Sequence, residues 1–330
     1  MSKLRFKEIG WNGLLFEVPE EMRMTSEGGN INSGYLRTEM EGLVMEVKWE
    51  LLNPKKIKSL AEVADSFISS AKKKIKKTSK KKIDLKVERA ESRFIASHSA
   101  YSMFLKTVAK AWEPVYIWNC EKSGRVVIIH FTSILPEDTS RELVEHILSS
   151  FKCHHEGKFI PWSALNIRFN VPASFLLSER KIAVGRTYLV FNEQKLSPFA
   201  EMGRSLIIEY FSMANVIYED TYKNLEVWFQ NKYWKDLKKR CKNIAFQTTE
   251  TKRILRHNVL HKHGVKGSGI FTRRLTSCDN LTWYCSKSNR IYSITFTSYV
   301  SRPFFLKRKL DEETNRKIIE ELVSSFRCHL

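Results

Sequence analysis

Eight lysines fall within eleven residues at AKKKIKKTSKKK: Lys72, Lys73, Lys74, Lys76, Lys77, Lys80, Lys81 and Lys82. Ammonium groups at that density repel one another unless a counter-anion gathers them, and long-armed point charges are what neutralise a phosphate backbone. The plain alternative is a solvated helix end, since cations also suit the last turn of a helix. A second basic run, WKDLKKRCKN, carries Lys238, Lys239, Arg240 and Lys242. A third, SRPFFLKRKL, sets Arg302, Lys307, Arg308 and Lys309 beside Phe304 and Phe305, a mixture in which cations hold phosphates while rings stack on bases. These three groups are the expected nucleic-acid contacts.

Histidines and cysteines are the other residues that could do chemistry. In RHNVLHKHG, His261 and His263 share a face if the segment is a strand, and His257 lies four residues before His261. Such a group could serve a nuclease. Cys153 with His154 and His155, and Cys328 with His329, recur near the ends of the two halves. A metal centre needs three or four converging ligands. One Cys–His pair per half is too few unless the halves meet, and His98 is the histidine the first half offers opposite His263, so no metal ligand and no cofactor is expected. The sequence holds no CxxC pair, Walker loop, GxSxG elbow, HExxH or strand-linked GxGxxG. No catalytic residue is assigned, and an enzyme is the less favoured class.

What positions these residues is a duplication. WNCEKSGRVVIIHFTS begins at Trp118 and WYCSKSNRIYSITFTS at Trp283, 165 positions later, with nine of sixteen positions identical. Other landmarks recur in the same order: WNGLLFEVP and WSALNIRFNVP, GLVMEV and SLIIEY, EDTSRELVEHILSSFKCH and EETNRKIIEELVSSFRCH. The offset grows from 153 at the Val-Pro pairs to 175 at the closing SSF, which places insertions in the second copy around NEQKLSPFAEMG and YVSRPFFLKRKL. Residues 1–157 and 158–330 are therefore read as two domains.

Within each copy, period-two apolar alternation predicts strands at LLFEV, LVMEVKW, SMFLKTV, VYIWNC and RVVIIHF, with KSG and KSN as hairpin turns. Trp118 and Cys120 then share a face, as do Trp283 and Cys285. Helical spacing of Leu60, Val63, Ala64, Phe67 and Ala71 predicts a helix over 59–77, and a second follows over 139–151. The expected fold class is α+β: two tandem repeats, each a mainly antiparallel sheet with two packed helices.

The WxxLxFxVP opening, central helix, strand meander and final helix ending SSF resemble the PsbP-like fold of photosystem PsbP subunits, a Ran-binding import factor and secretion-effector chaperones. That resemblance implies a module that grips partners, and it carries over no site residue. It supplies the alternative function, a protein-partner adaptor or chaperone.

At 330 residues there is chain enough for two ordinary cores, and 56 Lys and Arg against 36 Asp and Glu give a net charge of +20. Residues 158–330 hold 30 bases and 15 acids, leaving +15 of that excess in the second half. Such a surplus favours polyanions. The six cysteines are scattered, and no apolar signal or spanning segment is read, so a cytoplasmic protein with reduced thiols and no membrane insertion is expected. The first expectation for function is a non-enzymatic protein that docks electrostatically on RNA, DNA or a ribonucleoprotein such as the ribosome.

Overall fold

The computed structural model describes residues 4–30, 32–53, 58–78, 85–89, 92–106, 111–216, 224–241, 244–254 and 256–329. By compactness the chain divides into one unit of Met1–Glu156 with Pro161–Leu165 and another of Gly157–Ile160 with Asn166–Leu330.

The first unit opens with a hairpin of β1 (Phe6–Trp11) and β2 (Leu14–Pro19), then β3 (Arg23–Gly29), β4 (Ser33–Met40) and β5 (Leu43–Leu51). Helix α1 (Leu60–Thr78) leads to β6 (Lys86–Arg89), β7 (Arg93–Ile95), β8 (His98–Lys106), β9 (Glu113–Cys120), β10 (Arg125–Ser133) and α2 (Glu137–Ser150). Its main sheet is antiparallel in the order β3-β4-β5-β10-β9-β8-β6, with β7 also on β8. Alternation in β9 sends Val115 and Ile117 to one face, where they pack with Ala64 and Phe67 of α1. Trp118 goes to the other face and meets Phe151, which itself stacks on Phe16 of β2.

Strand β11 (Phe159–Ala164) follows, and its Ser163 pairs with Gly10. The second unit then runs β12 (Ile167–Pro172), β13 (Leu176–Ile182), β14 (Arg186–Ser197) and β15 (Ala200–Ser212). Helix α3 (Leu225–Trp228), a π turn over Phe229–Tyr233 and α4 (Trp234–Arg240) form one interrupted helical segment. After it come β16 (Thr248–Ile254), β17 (His257–Ser268), β18 (Thr272–Cys285), β19 (Arg290–Pro303) and α5 (Glu312–Ser325). The main sheet reads β13-β14-β15-β19-β18-β17-β16.

The expected pair of two-helix α+β domains is corrected here. Among the described residues strand dominates, and there are three mainly antiparallel sheets rather than two. The opening hairpin does not join the main sheet. β2 instead buries its alternate residues Leu14, Phe16 and Val18 and packs against α2, as β12 packs against α5. The strands of the second sheet also reach 12 to 14 residues where they carry the insertions, against 8 or 9 for β4, β5, β8, β9 and β10. Among the described residues no helix is long and apolar enough to cross a membrane.

Candidate metal centres

The repeated hairpin explains itself at its ends. Ala100 of β8 lies opposite Trp118 of β9, so two residues further out His98 faces Cys120 at the end of the strand pair. In the second unit Val259 lies opposite Trp283, and the same count brings His257 to Cys285. An imidazole and a thiol on facing strand ends share one side of the sheet within side-chain reach.

The remaining donors arrive from the chain that leaves the last helix. Phe151 and Phe326 cap α2 and α5 in extended conformation, so the backbone turns off the helix instead of continuing it. Two backbone hydrogen bonds then hold Lys152 to Leu15, and two more hold Arg327 to Arg168, at 2.7–3.0 Å. That staple delivers Cys153 and His154 to the first site and Cys328 and His329 to the second.

The result is two four-residue sets, His98, Cys120, Cys153 and His154, and His257, Cys285, Cys328 and His329, each with its donor atoms within 4.8 Å of one another. In the first, Nε2 of His98 is 3.1 Å from Sγ of Cys153, and Nδ1 of His154 is 3.4 Å from Sγ of Cys120 and 3.6 Å from Sγ of Cys153. In the second, Nε2 of His257 is 3.2 Å from Sγ of Cys328, whose sulfur is 3.2 Å from Nδ1 of His329 and 3.6 Å from Sγ of Cys285. Around a tetrahedral Zn²⁺, bond lengths of about 2.3 Å to sulfur and 2.0–2.1 Å to nitrogen separate S from N by about 3.5 Å and S from S by about 3.8 Å. A disulfide needs about 2.05 Å, and all four thiols are free.

Burial governs the protonation of these donors. Burial, then the neighbouring Cys120, pushes the Cys153 thiol up to about 12, and burial with Cys285 does the same to Cys328. A divalent metal reverses that preference by ionising the thiols it binds. Burial also lowers His98 and His257, favouring the neutral imidazole that ligates. The indole Nε1 atoms of Trp118 and Trp283 are buried with no hydrogen-bond partner among the described residues, yet each favours the thiolate of Cys153 or Cys328. The Ser123 backbone N–H donates to Sγ of Cys120 at 3.4 Å. A donor to sulfur of this kind belongs to the outer layer a thiolate centre requires. Two thiolates and two imidazoles would fill a tetrahedral shell and leave no position for substrate, the pattern of a structural centre rather than a catalytic one.

Sequence reasoning missed these two clusters. It set His98 against His263 at an offset of 165, whereas the ladders equate His98 with His257 at an offset of 159, because the β17–β18 hairpin carries six extra residues. The visible signal was the recurring WxC and CH together. The histidines grouped for nuclease chemistry are parted accordingly. His257 joins the thiols, while Nε2 of His261 and Nδ1 of His263 both bond Oδ1 of Asp279, at 3.0 and 2.9 Å. Those two line a cavity of about 840 Å³ with Leu281, Leu310 and Arg316.

The expected phosphate contacts are spread. Lys72, Lys73, Lys76 and Lys77 are exposed on α1 of the first unit, which also carries Lys74. Lys80, Lys81, Lys82 and Lys242 lie outside the described residues. In the second unit Lys238 and Lys239 are exposed on α4, and Arg240 lies over the Tyr188 ring at 4.3 Å and 3.7 Å from Glu179. Lys307 and Lys309 are exposed and Arg308 is half-buried, while Arg302 donates to the Lys307 carbonyl. Tyr188 pairs with Glu209 of β15 and Ser301 with Glu201, eight residues away, so roughly 25 Å of strand separates these two basic groups. The structure does not bring them together.

No protein-family model and no curated protein matches the chain. Among solved structures it is similar to PsbP from Synechocystis sp. PCC 6803, at 12% identity and a TM-score of 0.35 over 46% of this chain and 94% of that one. It is also similar to MucB in complex with MucA, at 10% identity and a TM-score of 0.17 over 98% of this chain and 91% of that one. The first is a weak likeness to a PsbP-like fold, and neither bears on function.

Proposed function

We propose that this is a non-enzymatic docking protein whose two like-built units are each closed by a structural Zn²⁺ held by two cysteines and two histidines. One observation carries the reading: donors from a strand start, a strand end and the chain beyond the last helix converge twice, from equivalent places. The soft thiolate and imidazole set suits Zn²⁺ over Mg²⁺ or Ca²⁺, which take oxygen ligands. Each ion would tie the C-terminal hook to the main sheet, so that binding energy becomes folding energy. The partner is a phosphate-bearing polyanion, in keeping with the net charge of +20.

Elemental analysis of untagged protein tests this, with two zinc ions expected per chain. Replacement by Co²⁺ should give the visible bands of tetrahedral thiolate coordination. Protein that is folded and metal-free, and that takes up neither ion, would refute the proposal.

A further inference from the structure

Three insertions of the second unit lengthen its sheet at one end. The β14–β15 hairpin closes at Ser197 and Ala200, just beyond the point where Glu201 pairs with Ser301. Ser301 also pairs with Arg274 of β18, and Pro303 with Thr272. Between β17 and β18 the turn passes through Gly269 at φ +86°, where an added Cβ would sit 2.1 Å from the Thr272 carbonyl, so only glycine fits. The chain leaving β19 joins the same edge, with the Phe304 N–H donating to the Phe271 carbonyl at 2.8 Å.

Six large apolar side chains stand at this end: Leu196, Phe199, Ile270, Phe271, Phe304 and Phe305, between 57% and 80% exposed. Single exposed apolar residues are ordinary, but six gathered from three turns at one edge are not. Lys195, Lys266, Arg273, Lys307 and Lys309 are exposed within a few residues of them. Over 194–201, 265–275 and 300–310 there are eight Lys and Arg and one acid, Glu201.

We infer that this tip docks on an anionic lipid surface, with its apolar turns in the headgroup–acyl boundary and the cations behind them at the phosphates. This deepens the proposed function by naming the polyanion. A side chain one to three strand residues behind the tip lies about 3–10 Å back, the depth that separates the acyl boundary from the headgroups. Lys and Arg reach from such positions toward anionic headgroups, and each adds attraction to the surface. Leu196 and Ile270 have no ring to stack on a base, and the apolar groups occupy turns and the strand end beside them rather than a broad sheet face on which a single strand could lie. Those features favour a bilayer over nucleic acid.

Full-length protein tests the inference by co-sedimentation with phosphatidylcholine vesicles, with or without about 30% phosphatidylserine, beside a single-stranded RNA in an anisotropy assay. Retention on the anionic vesicles alone is expected, weakening as salt is raised. Phe271→Asp with Phe304→Asp should weaken it at least about tenfold, and Arg273→Glu with Lys307→Glu should do likewise, both with zinc content unchanged. Full zinc content shows that the variants fold and that the metal reading stands apart. Vesicle binding that ignores both variants, no vesicle binding at all, or RNA binding that the tip variants abolish in its place would overturn the inference.

Discussion

The Trp118 ring meets the Phe151 ring edge-on at a centroid distance of 5.3 Å, and Trp283 meets Phe326 in the same way at 5.2 Å. Each contact joins the strand that ends in one cysteine to the helix end that precedes the other. The apolar core and the Cys–His cluster are thus two sides of one junction.

Trp118→Phe keeps an aromatic ring against Phe151 while removing the indole N–H beside Cys153 and part of the ring volume. Metal affinity at the first centre should fall roughly 10–100-fold while the second is unchanged, as for other outer-layer donors. Competition with a chromophoric chelator reads this directly, and an unaltered first centre would remove the indole from the account.

His257→Ala and His263→Ala separate the two registers of the second unit. Loss of His257 should release one of two zinc ions, whereas loss of His263 should leave both in place. The opposite result would restore the pairing at offset 165.

In the first unit His130 sits 3.9 Å from Glu46 and 3.5 Å from Glu113. Burial opposes its charge, but the two carboxylates outweigh burial and raise it, while the neighbouring His130 brings Glu46 down to about 2. The depressed Glu46 contributes stability above its unfolded value near 4.5, and that contribution disappears as pH falls toward 2. The raised His130 contributes below about 6.5, and its share is lost as pH rises past its folded value. Chemical denaturation should therefore show this pair contributing most between about pH 4.5 and 6.5, on the order of 2 kcal/mol given that a third of Glu46 meets water. His130→Gln should flatten both limbs.

Lys262 is 1% exposed, bonded to Glu226 of α3 at 2.9 Å and to Thr249 at 3.0 Å, with the Phe229 ring 5.2 Å away. Removing its counter-charge leaves a buried cation. Glu226→Ala should cost about 2–3 kcal/mol, and Lys262→Met in that background should recover much of the loss. Urea midpoints of the two variants decide the matter, with no recovery counting against a burial cost.

Local chemistry was legible from the chain itself. Alternating apolar residues write β9 and β10, Gly124 and Asn289 supply the left-handed turn position in KSG and KSN, and helical spacing finds α1 and α2 within two residues. These features depend on neighbours in sequence. The metal sets do not: His98 and Cys153 are 55 residues apart, and no short spacing such as CxxC announces ligands drawn from three separate elements. Only the strand register could choose His257 over His263, since a six-residue insertion moves one histidine away and carries another into its place. Only the closed sheet could show that extra residues from three loops end at one edge, because antiparallel pairing makes neighbours of turns more than a hundred residues apart.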